Sequence, residues 1–179
     1  MTERIGAHPY VVLARTTVER YLTRKSIPKD GLGIDSREEL WSPQRACFVS
    51  IKTRSGDLRG CIGTILPVRP SLDIEIIENA ISSSTRDPRF LPMQSYELPE
   101  VVFSVDVLSK PEKITDRASL DPSRWGVIVS KGARRGVLLP DLDGVDTVDA
   151  QLSIAAQKAG IASLDNVQIE RFSVVRYVE

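Results

Sequence analysis

A cysteine and an arginine lie two residues apart in the segment Asp57–Thr64, and both adjoin the same glycine. The segment is typical of a β-strand, in which successive side chains point to opposite faces. Arg59 and Cys61 are therefore predicted to share one face, about 6.6 Å apart along the strand. A cysteine is a nucleophile as its thiolate, and a nearby guanidinium favours that form. The pair thus predicts a reactive or anion-binding centre.

Two glycines in the same segment add to this prediction. Gly60 and Gly63 have no side chain, which weakens a strand but lets a ligand or another backbone approach closely. Both are therefore candidate binding-site residues. The alternative interpretation is structural, because free cysteines are often buried and strand glycines often mark a bulge.

A second strand is predicted just before this one. Residues 46–53 alternate with a period of two and a turn signal follows them, so the pair predicts a β-hairpin. If Lys52 lies opposite Arg59, then Ser50 faces Cys61. Two cations opposite each other need an anion, a carboxylate or solvent, which makes Lys52 a candidate binding residue.

A predicted helix ends in a loop where two arginines bracket an aspartate. Arg86 and Asp87 are candidate site residues, because a guanidinium binds a carboxylate through two hydrogen bonds. The alternative is that the loop only ends the helix, since Pro88 cannot continue it and arginines favour a helix C-terminus. Another alternative is that Asp87 orients Arg59 or Arg89 and so supports the site.

Several short motifs occur in a fixed order along the chain, and together they are more specific than any one of them. They are Leu58–Thr64, Asn79–Ala80, Thr85–Phe90 with Pro92, Leu138–Pro140 and Lys158–Gly160. The set resembles the signatures of the AMMECR-type domain family, the A component of the three-part AmmeMemoRadiSam system. The similarity extends from about Tyr10 to Tyr177, with departures from the family pattern at Leu91, Asp141 and Ala156.

The resemblance implies an α+β fold with two unequal subdomains that flank a cleft, near which the signature segments gather. It also implies Memo-like and radical-SAM proteins as partners through the family context. It does not supply a reaction, because a fold alone does not determine function.

Hydrophobic periodicity independently favours an α+β fold with mainly antiparallel hairpins and about three helices. The helices are predicted around Pro9 to Leu22, at Ser71–Ser84 with Ile74, Ile77 and Ile81 facing the core, and at Thr147–Ala159 after an N-cap at Asp146. The strands are predicted at Val101–Val107, Gly126–Ser130, Gly136–Leu139 and Val167–Val178. Residues 26–43 form the longest predicted irregular segment.

Composition limits the classes of function. The chain has 179 residues, of which 41% are apolar, enough for the core of one domain over residues 1–179 that divides into at most two lobes. It has 24 basic and 24 acidic residues, which argues against bulk attraction to nucleic acid or membrane. Without a signal-like N-terminal segment or a long apolar run, and with two free cysteines, the protein is predicted to be cytoplasmic.

Several familiar sites do not fit the sequence. His8 is the only histidine, and the chain has no glycine-rich nucleotide loop, so neither a metal nor a cofactor is predicted. An all-carboxylate metal site in Asp141–Asp149 stays open, although a capped loop is the better interpretation. The basic turn Lys131–Arg135 contains no aromatic residue, which makes nucleic-acid binding the least favoured function.

Two hypotheses follow. In the first, Cys61 is the nucleophile or covalent carrier of an enzyme, or of an enzyme component, that acts on a small anionic substrate. Arg59 then favours the thiolate or binds the substrate, while Lys52, Arg86 and Asp87 position charge around the cleft. In the second, the protein is a non-catalytic module that binds a metabolite or docks onto a partner enzyme. The sequence offers no obvious general base for the first hypothesis.

Overall fold

The predicted α+β class is confirmed by a computed structural model, which describes residues 8–179. The described residues contain two four-stranded sheets built mainly from antiparallel pairs. The helices are α1 (Pro9–Leu22), α2 (Glu38–Trp41), α3 (Leu72–Thr85) and α4 (Val148–Lys158), with 3₁₀-helices at Ser95–Glu100 and Arg117–Ser119. The strands are β1 (Cys47–Thr53), β2 (Leu58–Gly63), β3 (Val101–Leu108), β4 (Glu112–Ile114), β5 (Gly126–Lys131), β6 (Arg134–Leu138), β7 (Gln168–Phe172) and β8 (Val174–Val178).

The chain divides into two compact units. Of the described residues, the first unit contains 8–107 together with Val175–Glu179, and the second unit is Leu108–Val174. The first sheet has the strand order β2-β1-β3-β8, and the second has the order β4-β7-β5-β6. Each unit has its own apolar core. Within residues 8–179, no helix has the length and apolar content needed to cross a membrane.

In the first unit, α1 and α3 pack their apolar residues against one face of the first sheet. On α1, Val11, Ala14 and Val18 recur at helical spacing and are fully buried. On α3, Ile77 and Ile81 are buried as predicted, whereas Ile74 is only partly buried. Alternation along the strands explains the sheet side of this core, since every second residue of β1 and β3 points towards the helices.

A second buried stripe on α3 is polar, and periodicity did not predict it. Glu75 and Asn79 lie four residues apart and therefore share one side of the helix. The Glu75 carboxylate accepts hydrogen bonds from the backbone N–H groups of Val68 (3.0 Å) and Arg69 (2.8 Å). The Asn79 amide donates to the carbonyl oxygen of Cys47 (3.0 Å). These bonds fasten the first half of α3 to β1 and to the loop after β2.

The same stripe continues with Ser83 in the last turn of α3 and with Asp87 just after the helix. Ser83 Oγ accepts from the N–H of Ile62 (2.9 Å) and donates to the carbonyl oxygen of Val49 (2.7 Å). One turn further on, an Asp87 carboxylate oxygen accepts from the N–H of Cys61 (2.9 Å). Since β2 is an edge strand, the α3 segment in this way supplies acceptors for the N–H groups of Cys61 and Ile62.

In each unit, a helix backbone touches an edge strand at a glycine. A Cβ atom added to Gly60 on β2 would overlap the carbonyl oxygen of Ser83 in α3. A Cβ atom added to Gly136 on β6 would overlap the carbonyl oxygen of Ala155 in α4. Both obstacles are backbone atoms, so only glycine permits these helices to lie so close to their sheets.

The C-terminal strand prediction was wrong in one respect. The predicted single strand Val167–Val178 is broken at Ser173 into β7 and β8, which belong to different sheets. Ser173 instead exchanges hydrogen bonds with Ser109: its N–H donates to Ser109 Oγ (2.9 Å), and its carbonyl accepts from the Ser109 N–H (2.9 Å). Strand-like residues continue across the break, so the sequence pattern does not reveal it.

Two further details of the helices differ from prediction. The N-cap of α4 is Thr147, whose hydroxyl accepts from the Ala150 N–H (3.2 Å), and not Asp146. The irregular segment 26–43 contains the short helix α2, which was not predicted. It is held by the buried Trp41, whose indole N–H donates to the carbonyl of Asp35 (2.8 Å).

The close contact at β6 gives a stability prediction. Replacing Gly136 with alanine should lower the free energy of unfolding by about 3 kcal/mol, because the helix carbonyl has no room to move aside. Urea unfolding followed by circular dichroism measures the change. The matched control is Gly33→Ala, where an added Cβ meets open space, and its effect should stay within about 0.5 kcal/mol. Equal stability of the two variants would contradict the close contact.

Candidate functional site

Ser50 and Cys61 form the centre of the predicted site. They are directly opposite each other in the β1–β2 hairpin, as the sequence predicted. The Ser50 hydroxyl donates to the Cys61 sulfur atom (3.1 Å). Cys61 is partly exposed, and its thiol has a hydroxyl partner.

The predicted register holds from Phe48 to Ile51 and fails at Lys52. Lys52 lies opposite Leu58 and not opposite Arg59, because the register shifts after Ile51. Arg59 is the extra residue of this irregularity and has no partner on β1. The shift also interrupts the in–out alternation of β2, and Leu58 is 37% exposed. A one-residue bulge leaves no clear mark in a short strand sequence.

The Arg59 guanidinium is engaged within the protein. It forms two hydrogen bonds to the Glu97 carboxylate, from Nε (2.6 Å) and Nη2 (3.0 Å), and a third to the carbonyl of Leu91 (3.1 Å). Its carbon atom also lies 5.9 Å from the centre of the Phe90 ring. The hydrogen bond from Arg59 lowers the pKa of Glu97 below its usual value. Arg59 thus ties β2 to the segment that follows α3.

A different guanidinium, that of Arg89, lies beside Cys61. Arg89 donates to both carboxylate oxygens of Asp87 (2.9 and 2.7 Å) and to the carbonyl oxygen of Cys61 (3.1 Å). The hydrogen bond to Asp87 is the main cause that raises the pKa of Arg89, and interaction with the Cys61 side chain adds to it. From the sequence, Arg89 was expected only as a partner of Asp87. The structure confirms this contact.

Asp87 is a buried support of this arrangement. Its hydrogen bonds with Arg89 and with the Cys61 N–H hold the pKa of the Asp87 carboxyl well below its usual range. The neighbouring Arg86 is exposed, and its backbone N–H closes α3 by donating to the Ser82 carbonyl (2.8 Å). Within residues 8–179 no side-chain partner of Arg86 is recorded, so the structure does not connect it to Cys61.

The two candidate glycines face protein atoms. At Gly60, the α3 backbone occupies the space that a side chain would need, as described above. A Cβ atom at Gly63 would overlap the Phe48 ring and the carbonyl oxygen of Cys47. Of the two roles predicted for these glycines, the close approach of the protein's own groups is therefore the one observed.

We call the side of the first sheet that carries Cys61 and Ser50 the thiol face. Ser104 on β3 is directly opposite Ser50, so the thiol and two hydroxyls form a row across three neighbouring strands. Next to this row lies a hollow of about 130 Å³ whose polar lining is Ser50, Lys52, Ser104, Asp106 and Arg176. Strand alternation could have placed Ser104 and Asp106 on one face of β3. The sequence did not show that β3 pairs with β1, so their proximity to Cys61 was not predicted.

The two basic residues that line the hollow differ in their recorded ion pairs. Arg176 binds the buried carboxylate of Asp106 through two hydrogen bonds (2.8 and 3.0 Å). Lys52 is exposed, and no ion pair of its ammonium group is recorded among residues 8–179. The hollow therefore offers one cation that is available to a ligand.

The second cysteine lies in a different environment. Cys47 is fully buried, and burial raises the pKa of its thiol to about 12. Both thiols are free, as predicted. In the part of the chain that the structure describes, no group of three or more histidine, cysteine or acidic side chains is placed to hold a metal ion.

Comparison with known proteins agrees with this arrangement of motifs. The family model described as AMMECR1 matches residues 11–177. The chain belongs to the AMMECR1 family. The resemblance inferred from the ordered motifs is thereby confirmed, and both the thiol face and the Arg59 and Arg89 contacts lie within the AMMECR1 match.

Relatives and a solved structure support the same conclusion. A protein of Thermotoga maritima is 48% identical to this AMMECR1 chain over 174 residues, covering 97% of this chain and 99% of the relative. A protein of Clostridium acetobutylicum is 47% identical, but the match covers only 36% of that relative. The crystal structure of an uncharacterized protein from Pyrococcus horikoshii has a TM-score of 0.81 at 31% identity, covering 95% of this chain and 89% of the other.

The two thiols of this AMMECR1 protein should differ in reactivity. Iodoacetamide should modify Cys61 at least about tenfold faster than Cys47, because Cys47 is inaccessible and rarely ionised at neutral pH. Peptide mass spectrometry at timed intervals measures both rates, and both cysteines should react in denaturant. The variant Cys61→Ser should lose the fast reaction. Faster modification of Cys47 in the native protein would contradict the described burial.

The Asp87 hydrogen bonds give a pH-dependent prediction. Because the native pKa of Asp87 is depressed, its carboxylate stabilises the fold above about pH 4, the usual aspartate pKa, and this stability is lost as the pH falls through the native pKa. Asp87→Asn should lower the free energy of unfolding by about 2 kcal/mol at pH 7. The stability of the variant should also change less with pH below about pH 4 than that of the unmodified protein.

Urea unfolding over a series of pH values checks the role of Asp87. The control is Asp143→Asn, at an exposed position with no recorded side-chain bond in the described chain. That variant should retain both the stability and the pH dependence of the unmodified protein. Identical pH profiles for Asp87→Asn and Asp143→Asn would disprove the role of Asp87.

Proposed function

We propose that this AMMECR1-family protein binds a compact anionic molecule at the hollow of the thiol face, with Cys61 beside the bound molecule. The observation that carries the proposal is the row of Cys61, Ser50 and Ser104 across three strands, next to Lys52. Hydroxyl groups and an ammonium group are donors, and a ligand that accepts from several donors at once is an anion.

The size of the hollow supports a compact ligand. Its volume is about 130 Å³, whereas sites for drug-sized molecules have roughly 300–1,000 Å³. A phosphate group or a short carboxylic acid suits this space better than a nucleotide. The Lys52 ammonium supplies the charge, Ser104 supplies a hydrogen-bond donor on the same face, and the Ser50 hydroxyl donates to a ligand when it turns away from the Cys61 sulfur.

The proposal assigns different roles to the arginines from those predicted from sequence. Arg59 has three hydrogen bonds inside the protein, so we assign it a positioning role. Arg89 is the guanidinium next to Cys61, and its side chain is 54% exposed, so we assign it to the rim of the site. Asp87 positions Arg89, while Gly60 allows α3 to approach β2.

In a catalytic form of the proposal, the Cys61 thiolate forms a bond to an electrophilic carbon of the bound molecule, and a leaving group departs from that carbon with the electron pair of the broken bond. That chemistry benefits from a group that accepts the thiol proton. Asp87 is a poor candidate, because its oxygens accept from Arg89 and from the Cys61 N–H and its pKa is well below the usual range. The only imidazole, that of His8, packs against the rings of Tyr10 and Tyr177.

The hydrogen bonds of Asp87 make it a poor general base for Cys61, and this favours a second candidate function. In this form the protein is a non-catalytic module that holds the anion for a partner enzyme, and the Memo-like and radical-SAM proteins of the family context are the proposed partners. Cys61 then contributes size and a weak polar contact to the site. The two forms make the same prediction for Lys52 and different predictions for Cys61.

Binding of inorganic phosphate and of malonate to the ¹⁵N-labelled protein tests the proposal. Both forms predict saturable shifts of amide signals on β1 and β3, and Lys52→Gln should weaken binding about tenfold, equivalent to about 1.4 kcal/mol. The control Lys29→Gln removes an exposed lysine of the first unit, away from the hollow, and should bind normally. Equal affinities of Lys52→Gln and Lys29→Gln would refute the proposed site.

Cys61→Ser distinguishes the two forms. A binding module should keep nearly its full affinity for the anion, because serine retains the size and hydrogen-bonding capacity of the side chain. A nucleophile should instead lose covalent capture of an electrophilic malonate analogue, bromomalonate, measured by intact mass. If bromomalonate modifies Cys61 no faster than iodoacetamide does, and malonate does not protect the thiol, the catalytic form is excluded.

A further inference from the structure

We infer that the second unit contains a separate binding site for a small amphipathic anion, a molecule with an apolar body and a phosphate or carboxylate group. The site is a groove of about 440 Å³ between the end of β4 and the loop that precedes β7. This volume falls within the range of roughly 300–1,000 Å³ that is usual for small-molecule sites. Its lining comprises Lys113, Ile114, Thr115, Arg117, Leu164, Asn166, Val167, Gln168 and Ile169.

The charge of the groove has a single sign. Lys113 and Arg117 are its two charged lining residues, and both are cations. Among residues 8–179 no ion pair is recorded for either side chain, although Arg117 donates to a backbone carbonyl. In a chain whose basic and acidic residues are equal in number, two unneutralised cations on one groove produce a local positive potential that attracts anions.

Acidic residues near the groove are occupied elsewhere. The Asp116 carboxylate caps the following 3₁₀-helix by accepting from the Ala118 N–H (2.8 Å). The Asp165 carboxylate accepts from a neighbouring serine hydroxyl (2.7 Å). Glu170 is opposite Lys113 in the sheet, but its carboxylate accepts from an arginine on β6 (2.6 Å). Among residues 8–179, none of these three carboxylates is recorded in an ion pair with Lys113 or Arg117, and the two groove cations are therefore available for an external anion.

The floor of the groove is apolar. Ile114, Leu164 and Val167 are partly buried residues that pack on the core of the second unit, and Ile169 belongs to that core. Contact with an apolar ligand body would remove their remaining exposed surface from water, which is favourable by about 25 cal/mol for each Å². A purely ionic ligand would not use this surface, so the groove suits an amphipathic molecule.

The wall opposite β4 is held in place before any ligand binds. The carbonyl of Leu164 accepts from Arg117 (3.3 Å), and the carbonyl of Asp165 accepts from the Lys131 ammonium (2.9 Å). Asn166 has a φ of 55°, in the left-handed region that asparagine adopts more readily than most residues. A preformed wall reduces the ordering cost of binding, and Asn166 in this loop and Gln168 at the start of β7 line the groove.

Titration of the ¹⁵N-labelled full chain with phenyl phosphate tests the inference, and inorganic phosphate tests the need for an apolar body. Phenyl phosphate should produce saturable shifts at Thr115, Asn166 and Gln168, with a dissociation constant of about 1 mM or below. Inorganic phosphate should bind this groove at least about fivefold more weakly. Lys113→Gln should weaken phenyl phosphate binding about fivefold, because it removes one of the two cations.

The control variant is Lys110→Gln, which removes an exposed lysine of the same unit outside the groove and should leave binding unchanged. Lys113 is exposed and makes no recorded side-chain bond in the described chain, so its substitution should leave folding intact. Absence of saturable shifts in these residues, or equal affinities of the two variants, would overturn the inference. Shifts confined to β1 and β3 would do so as well, while leaving the site on the thiol face unaffected.

Discussion

The attachment of α3 to the first sheet is the interaction on which the rest of the first unit depends. Four side chains at intervals of four residues, Glu75, Asn79, Ser83 and Asp87, hydrogen-bond to the backbone of β1, of β2 and of the following loop. An unpaired backbone group costs free energy when it is buried. On the edge strand β2, Ser83 and Asp87 accept from the N–H groups of Ile62 and Cys61, so the α3 segment pairs these groups without a further strand beside β2.

This attachment gives the family motifs a physical meaning. Gly60 allows the helix backbone to approach, Asp87 binds the Cys61 N–H, and Arg59 and Arg89 connect β2 to the segment after α3. Most of these motif side chains are therefore committed to holding the backbone. The thiol of Cys61 is the exception on the thiol face, whereas Lys52, Ser50 and Ser104 lie outside the motifs. The motifs therefore mainly hold the backbone, and positions outside them supply the lysine and the hydroxyl groups.

The sequence was sufficient to predict the α+β class, the hairpin that pairs Ser50 with Cys61, and the main helices, because each follows from a periodic pattern. It was not sufficient for the bulge at Arg59, since one extra residue in a short strand leaves the apolar pattern almost unchanged. The break at Ser173 was not predicted either, because strand-like residues continue on both sides of it. The polar stripe of α3 could have been found, because its four-residue spacing is visible, but polar residues on a helix usually indicate a solvated face.

The last strand has a consequence for how the chain is made. β8 completes the first sheet beside β3, yet the whole second unit separates these two strands in the sequence. A ribosome therefore releases β3 well before its neighbour exists, and the nascent edge of β3 is open to wrong pairing during that interval. Early folding of the second unit would draw the two strands together and lower the entropic cost of closing the sheet.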